Sequence, residues 1–174
     1  MNKRKTLITM LALVCMLVVG IGFAAITSIG LKVNGSVNLE PNSEAFKVEF
    51  TDSSRTGGSD ADTVNLTAKT TAEITVSSLN TKDTSVTFTL TITNNSTDDI
   101  DAIISKPTIT SETDTASAFT VTTAKGWTEN TDTKLLAPTE STTITVTVTL
   151  DIAPINTVTG SFVIDFTATP QLAA

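Results

Sequence analysis

A chain of 174 residues and 18.2 kDa holds one domain plus whatever its termini carry, on the usual scale of roughly 100 to 200 residues per domain. It contains no His and no Tyr, and its one cysteine, Cys15, lies in an N-terminal apolar run, which excludes Ser–His–Asp and Cys–His catalysis, zinc fingers, His-ligated metalloprotease sites and Cys-held clusters. The formal charge of −7 becomes more negative once Lys3, Arg4 and Lys5 are removed with the leader, and the remaining lysines are scattered singly, so no phosphate-binding patch forms and nucleic acid is not an expected partner.

The chain opens with a basic segment, Met1 to Lys5, followed by an uncharged stretch from Thr6 to Leu31 that is most apolar over Leu7 to Ile21. A basic head, an apolar stretch and small residues near a junction form an export signal. Residues 1–25 are read as an apolar signal helix cleaved near Ala24 and Ala25, with Gly22 and Ala24 at the recognised positions and cleavage after Thr27 as the other choice. An uncleaved membrane anchor is the alternative, since an uncharged run of about 18 residues can span a bilayer. A lipoprotein junction at Cys15 is disfavoured by Val14, and a type IV pilin junction at Gly22-Phe23 by Thr27. On this reading a signal peptidase is the processing partner and the leader is the chain's one contact with membrane.

Beyond the leader the pattern changes. Threonine makes up roughly a fifth of the chain, and a β-branched residue at that frequency favours strands over helices. In chain order, alternation predicts strands around Val37/Leu39, Phe46/Val48/Phe50, Val64/Leu66/Ala68, Ile74/Val76, Val86 to Ile92, Ile100/Ala102/Ile104, Phe119/Val121, Ile144 to Leu150 and Phe162 to Ala168. The clearest are Val86-Phe88-Leu90-Ile92 and Ile144-Val146-Val148-Leu150, each interleaved with threonines, which puts an apolar face toward a core and a threonine face toward water. Turn-like clusters separate them, among them Glu40 to Ser43, Arg55 to Asp62, Leu79 to Asp83 and Asn94 to Asp99. The fold class is therefore all-β, an antiparallel two-sheet β-sandwich of jelly-roll or Ig-like topology over residues 36–171, with 172–174 as a tail. Residues 26–35 form an N-terminal arm, apolar and alternating at Ile29, Leu31 and Val33 until Gly35 allows a break. Charges at Lys47, Glu49 and Asp165 are expected to blunt sheet edges.

Four segments carry a resemblance. Gly20 to Glu40 (GIGFAAITSIGLKVNGSVNLE), Ile74 to Ser96 (ITVSSLNTKDTSVTFTLTITNNS) and Gly160 to Gln171 (GSFVIDFTATPQ), together with a C-terminus that ends PQLAA without an apolar tail or sorting motif, resemble the secreted Gram-positive TasA/camelysin group. These are biofilm-matrix and surface proteins released by a signal peptidase of the SipW type. The resemblance covers about a third of the chain. It implies a jelly-roll sandwich whose freed N-terminal arm adds as a strand to a neighbouring subunit and builds fibres, with itself or related matrix subunits as partner. The chain is shorter than the fibre-forming members and lacks their Lys-rich insertions. Some members are described as metallopeptidases, a description this chain cannot inherit because it has no imidazole ligands.

The candidate assembly residues are thus Ile29, Leu31 and Val33, as a donor strand or as an ordinary first strand in the chain's own sheet. A head-to-tail contact of the first kind is heterologous and propagates as a filament. The carboxylates Asp60 and Asp62, and Asp98, Asp99 and Asp101, are incomplete candidates for Ca2+, because neither group has the twelve-residue loop with its glycine and closing glutamate; they read as solvated turn charges. Trp127 reads as a plug from loop to core, with an exposed ligand-stacking residue as the other possibility, and Asn94 to Thr97 reads as a turn. No catalytic residue and no cofactor is assigned, and the chain is not expected to be an enzyme. The expected protein is a structural component of the cell surface or extracellular matrix of a Gram-positive bacterium, its rival a tethered or secreted adhesin-like binding module that does not self-assemble.

Overall fold

In the computed structural model the described residues are 31–40, 45–66, 68–77, 79–80, 82–97, 99–114, 117–152 and 158–172. The expected signal helix over 1–25, its cleavage residues Ala24 and Ala25, Ile29 and Asp98 lie outside them. Eleven strands and no helix are found among the described residues: β1 Leu31–Glu40, β2 Val48–Gly57, β3 Thr63–Asn65, β4 Thr71–Val76, β5 Ser85–Asn94, β6 Ile100–Ser105, β7 Thr108–Asp114, β8 Phe119–Lys125, β9 Thr133–Leu136, β10 Ser141–Leu150 and β11 Val158–Leu172.

They form two sheets. One has four strands in the order β2-β5-β10-β8; the other has seven, in the order β3-β4-β1-β11-β6-β9, with β7 also paired to β11. The two threonine-laced segments become β5 and β10, antiparallel neighbours at the centre of the four-stranded sheet, with Phe88 opposite Val146 and Thr87 opposite Thr147. Their apolar sides are fully buried. Val33, Val37, Ile74, Phe162 and Ile164 supply the facing layer from the larger sheet, and Phe50 meets Phe166 between the sheets in an edge-to-face contact, 5.8 Å between ring centres.

The structure corrects the sequence-based expectation in four places. The sheets are not wholly antiparallel, because β1 runs parallel to β11 over Leu31↔Val158 to Glu40↔Thr167. The strand does not break at Gly35; β1 continues through it, since the ring of Phe162 occupies the space where a Cβ would stand, 2.0 Å away. Arg55 to Gly57 belong to β2 rather than to the following turn. Asp165 lies on the interior strand β11, where it accepts hydrogen bonds from Asn38 Nδ2 (3.0 Å) and Thr110 Oγ1 (2.8 Å), and so does not blunt an edge. Strands β7 and β9 are additions. β7 (TITSETD) is exposed along nearly its whole length and shows no apolar alternation; β9 is four residues long.

Gly35→Ala introduces a methyl group into the ring of Phe162, which is 2% exposed and has nowhere to move. Urea denaturation should show a loss of about 1–3 kcal/mol, the usual range for overpacking.

Candidate functional site

Strand β1 is central to its sheet and bonded on both sides. Six residues pair antiparallel with β4, from Val33↔Val76 to Asn38↔Thr71, while all ten pair with β11. Of the expected assembly residues, Val33 is fully buried within the chain's own sheet, opposite Val76 and Gly160, and Leu31 lies in the same strand opposite Val158. The slot between β4 and β11 is therefore the place where this segment is held. Val33, Val37 and Leu39 point into the core and Asn34, Ser36 and Asn38 point away from it, so the strand is an amphipathic insert with Gly35 as its one gap.

The sheet edges, by contrast, carry blocking groups. On β2, Ser53 and Arg55 stand on the inner face opposite the core residues Leu90 and Phe88. Arg55 turns its guanidinium to the Gly57 carbonyl (2.8 Å) and to Asp60 (3.0 Å). On β9, Lys134 stands opposite the buried Ile104 and pairs with Glu129 at 3.0 Å; that ammonium hydrogen bond holds the exposed Glu129 carboxyl below the ordinary carboxylate range. Along β8, the backbone N–H groups of Phe119 and Val121 donate to carboxylates of β7, at 3.0 Å to Asp114 and 3.3 Å to Glu112. The edge strand β3 has only three residues. Inward charges, capped N–H groups and short edge strands all resist pairing with another chain.

Two polar side chains that the sequence pattern placed in solvated turns are buried. Asp62, 4% exposed, accepts four hydrogen bonds: from the backbone N–H of Ser59 and Ser77, each at 2.7 Å, and from their hydroxyls at 3.3 and 2.9 Å. It clasps the β2–β3 connection to the end of β4. Gly58, at φ +67°, makes room for it, since a Cβ there would lie 2.2 Å from the carboxylate. Asn94, fully buried, donates from Nδ2 to the carbonyls of Ile100 and Leu136, both at 2.9 Å, and accepts from Ser96 N–H at 3.0 Å. It ties the end of the small sheet to β6 and β9 of the large one. Sequence reasoning missed both as structural residues, although Asp62 follows the glycine pair and serine that build its cradle.

The other candidates fall apart spatially. Asp60 is exposed and ion-paired with Arg55, Asp99 is exposed in a turn at φ +54°, and Asp101 lies on β6 opposite Gln171. Among the described residues no three His, Cys, Asp or Glu side chains gather as metal ligands. Trp127 is 6% exposed and donates from Nε1 to the Thr131 carbonyl at 3.1 Å, with Lys125 Nζ 5.7 Å from the ring centre; it is the loop-to-core plug and is too buried to stack on a ligand. No protein-family model matches the chain, and no curated protein matches it significantly.

Removing either buried hub leaves desolvated partners behind. Asp62→Ala and Asn94→Ala should each lower stability by about 1–3 kcal/mol, whereas Lys106→Ala, which breaks only the exposed pair with Asp132, should change it by less than about 1 kcal/mol. Thermal or denaturant unfolding of the three variants side by side checks this.

Proposed function

We propose that the protein is an exported structural subunit of the cell surface or biofilm matrix of a Gram-positive bacterium, which assembles with copies of itself by donating its N-terminal strand. Export rests on the leader: a basic head, an uncharged apolar run and a small-residue junction at Ala24 and Ala25. Strand donation rests on one observation above the others. The segment that directly follows the leader occupies an interior slot between β4 and β11, while the sheet edges are guarded against plain edge-to-edge addition. An identical strand from another subunit fits that slot with the same register and the same apolar residues, which is the geometry of exchange between protomers. The resemblance to the TasA/camelysin group points the same way.

The burial of Val33 in the chain's own sheet shapes the test. Val33→Lys would damage folding and assembly together, so paired cysteines are the sharper probe. Ser36 and Glu73 are directly opposed across β1 and β4 on the outer side, where facing Cβ atoms lie about 4.5–5.5 Å apart. Cys15 is lost with the leader, so the Ser36→Cys/Glu73→Cys variant carries no other thiol. The protein is purified from culture supernatant, its N-terminus is sequenced, and it is imaged by negative-stain electron microscopy before bridging with a short bis-thiol reagent. Filaments from a chain starting near Ala25, converted by bridging into a ladder of covalent oligomers, are the expected result. Filaments that bridge only within single chains would retain the fibre and overturn strand donation. Monodisperse particles with the same N-terminus would overturn self-assembly and favour the adhesin-like binding module.

A further inference from the structure

We infer that the outer face of the four-stranded sheet is an ice-binding surface. The three strands β5, β10 and β8 place threonine, serine and one alanine on this face and no ionisable side chain, although the chain carries 18 acidic residues. The only carboxylates on the face, Glu49 and Asp52, belong to the edge strand β2. A solvent face made only for solubility would be charged and mixed in sign. The outer side of the larger sheet is of that kind, with Glu73, Asp101 and Asp165 among its polar groups.

The hydroxyls are also in rank. Register aligns Thr87, Thr147 and Thr122 across three strands, and Thr89 with Thr145 in the next rank. Neighbouring hydroxyls within a rank are bonded to one another, Thr87 to Thr147 at 2.9 Å and Thr93 to Ser141 at 2.8 Å. The threonines of β5 and β10 are half-buried by this close packing, so their rotamers are held rather than free. The result is a two-dimensional grid, with repeats of about 4.8 Å between strands and about 6.8 Å between same-face residues along a strand. Both repeats are close to oxygen–oxygen repeats on the faces of hexagonal ice. Each hydroxyl can donate and accept, as a water lattice requires, and the threonine methyls between them disfavour disordered hydration.

A polysaccharide is the other neutral, hydroxyl-rich ligand. Stacking on sugar rings calls for exposed aromatic side chains and a cleft. This face has neither: the phenylalanines of β5 and β8 point into the core and Trp127 is buried. A periodic grid without aromatics fits a crystal plane better than a single chain of sugars.

The test uses the processed, secreted protein. Ice is grown slowly from its solution, the fraction taken into the ice is compared with that of a non-binding control protein, and inhibition of ice recrystallisation is measured in parallel. Thr89→Lys and Thr145→Lys each place a charged side chain in the middle of the grid, and Thr75→Lys does the same on the outer side of the other sheet. Thermal unfolding confirms that each is folded; Thr122→Lys, in an outer strand of the same grid, replaces either central variant if it is not. Enrichment in ice and slowed recrystallisation by the unmodified protein and by Thr75→Lys, with at least a tenfold higher concentration needed for the grid variants, is the expected pattern. Exclusion from ice at the level of the control, or equal activity of the grid variants, overturns it. Retention on microcrystalline cellulose together with exclusion from ice would also overturn it, and would reassign the face to crystalline polysaccharide.

Discussion

A sandwich of two open sheets has strand edges that are not sealed by the fold itself, and each must be stopped from pairing with another copy by something other than a strand. Much of this molecule follows from that constraint. Arg55 and Lys134 are placed on inner faces, opposite Phe88 and Ile104, positions where a hydrophobic residue would add to the core. Each loses some burial and in exchange denies a docking strand its apolar contact. The β8 edge is handled differently: carboxylates of Asp114 and Glu112 take the N–H groups of Phe119 and Val121 that an incoming strand would need. A side-chain cap of this kind satisfies the backbone without presenting a backbone template.

Once the edges are closed, cohesion between sheets rests on the core and on a few polar ties. Val86 to Ile92 and Ile144 to Leu150 fill the middle, but apolar contact is non-directional and does not by itself position loops. Asp62 and Asn94 supply the direction. Each is buried, each has all its partners, and each joins segments distant in sequence: Ser59 with Ser77 in one case, Ile100 with Leu136 in the other. A buried polar group with a full set of partners rigidifies its surroundings and penalises every arrangement in which a partner is missing. The four exposed ion pairs have no such leverage, because water competes for both ends.

The strands whose apolar residues alternate without interruption were legible in the sequence, because a half-buried strand writes its two faces directly into its residues. β5, β10 and most of β11 are of this kind. β7 was not legible: pairing with β11 fixes its backbone, while its side chains lie in solvent, so nothing constrains its pattern. The second half of β2 was hidden for the opposite reason, since the residues that protect an edge, Ser53, Arg55 and Gly57, are those that usually announce a turn. Asp62 and Asn94 were misread because Asp and Asn are common in turns; only the positions of their partners, far along the chain, distinguish a solvated turn from a buried tie. The direction of β1 could not be read at all, as alternation is the same for parallel and antiparallel neighbours.

That direction bears on what strand donation would cost. A β1 seated in its own slot and a β1 seated in a neighbour's make the same contacts, so those contacts cancel between monomer and fibre. The tethered strand also has the advantage of proximity, because a short connection from Glu40 to Val48 keeps its effective concentration high, millimolar for short flexible linkers. Assembly must therefore draw on something the closed monomer lacks. The closed monomer is held to an orientation in which the ten-residue ladder with β11 is parallel and only the six-residue ladder with β4 is antiparallel, and parallel pairing is slightly less stable per residue. A strand arriving from another subunit is not bound by the connection to β2 and can enter in the reverse sense, making the longer ladder the antiparallel one. The gain per pair is small, but it applies along the longest interface in the sheet and is open only to the exchanged strand.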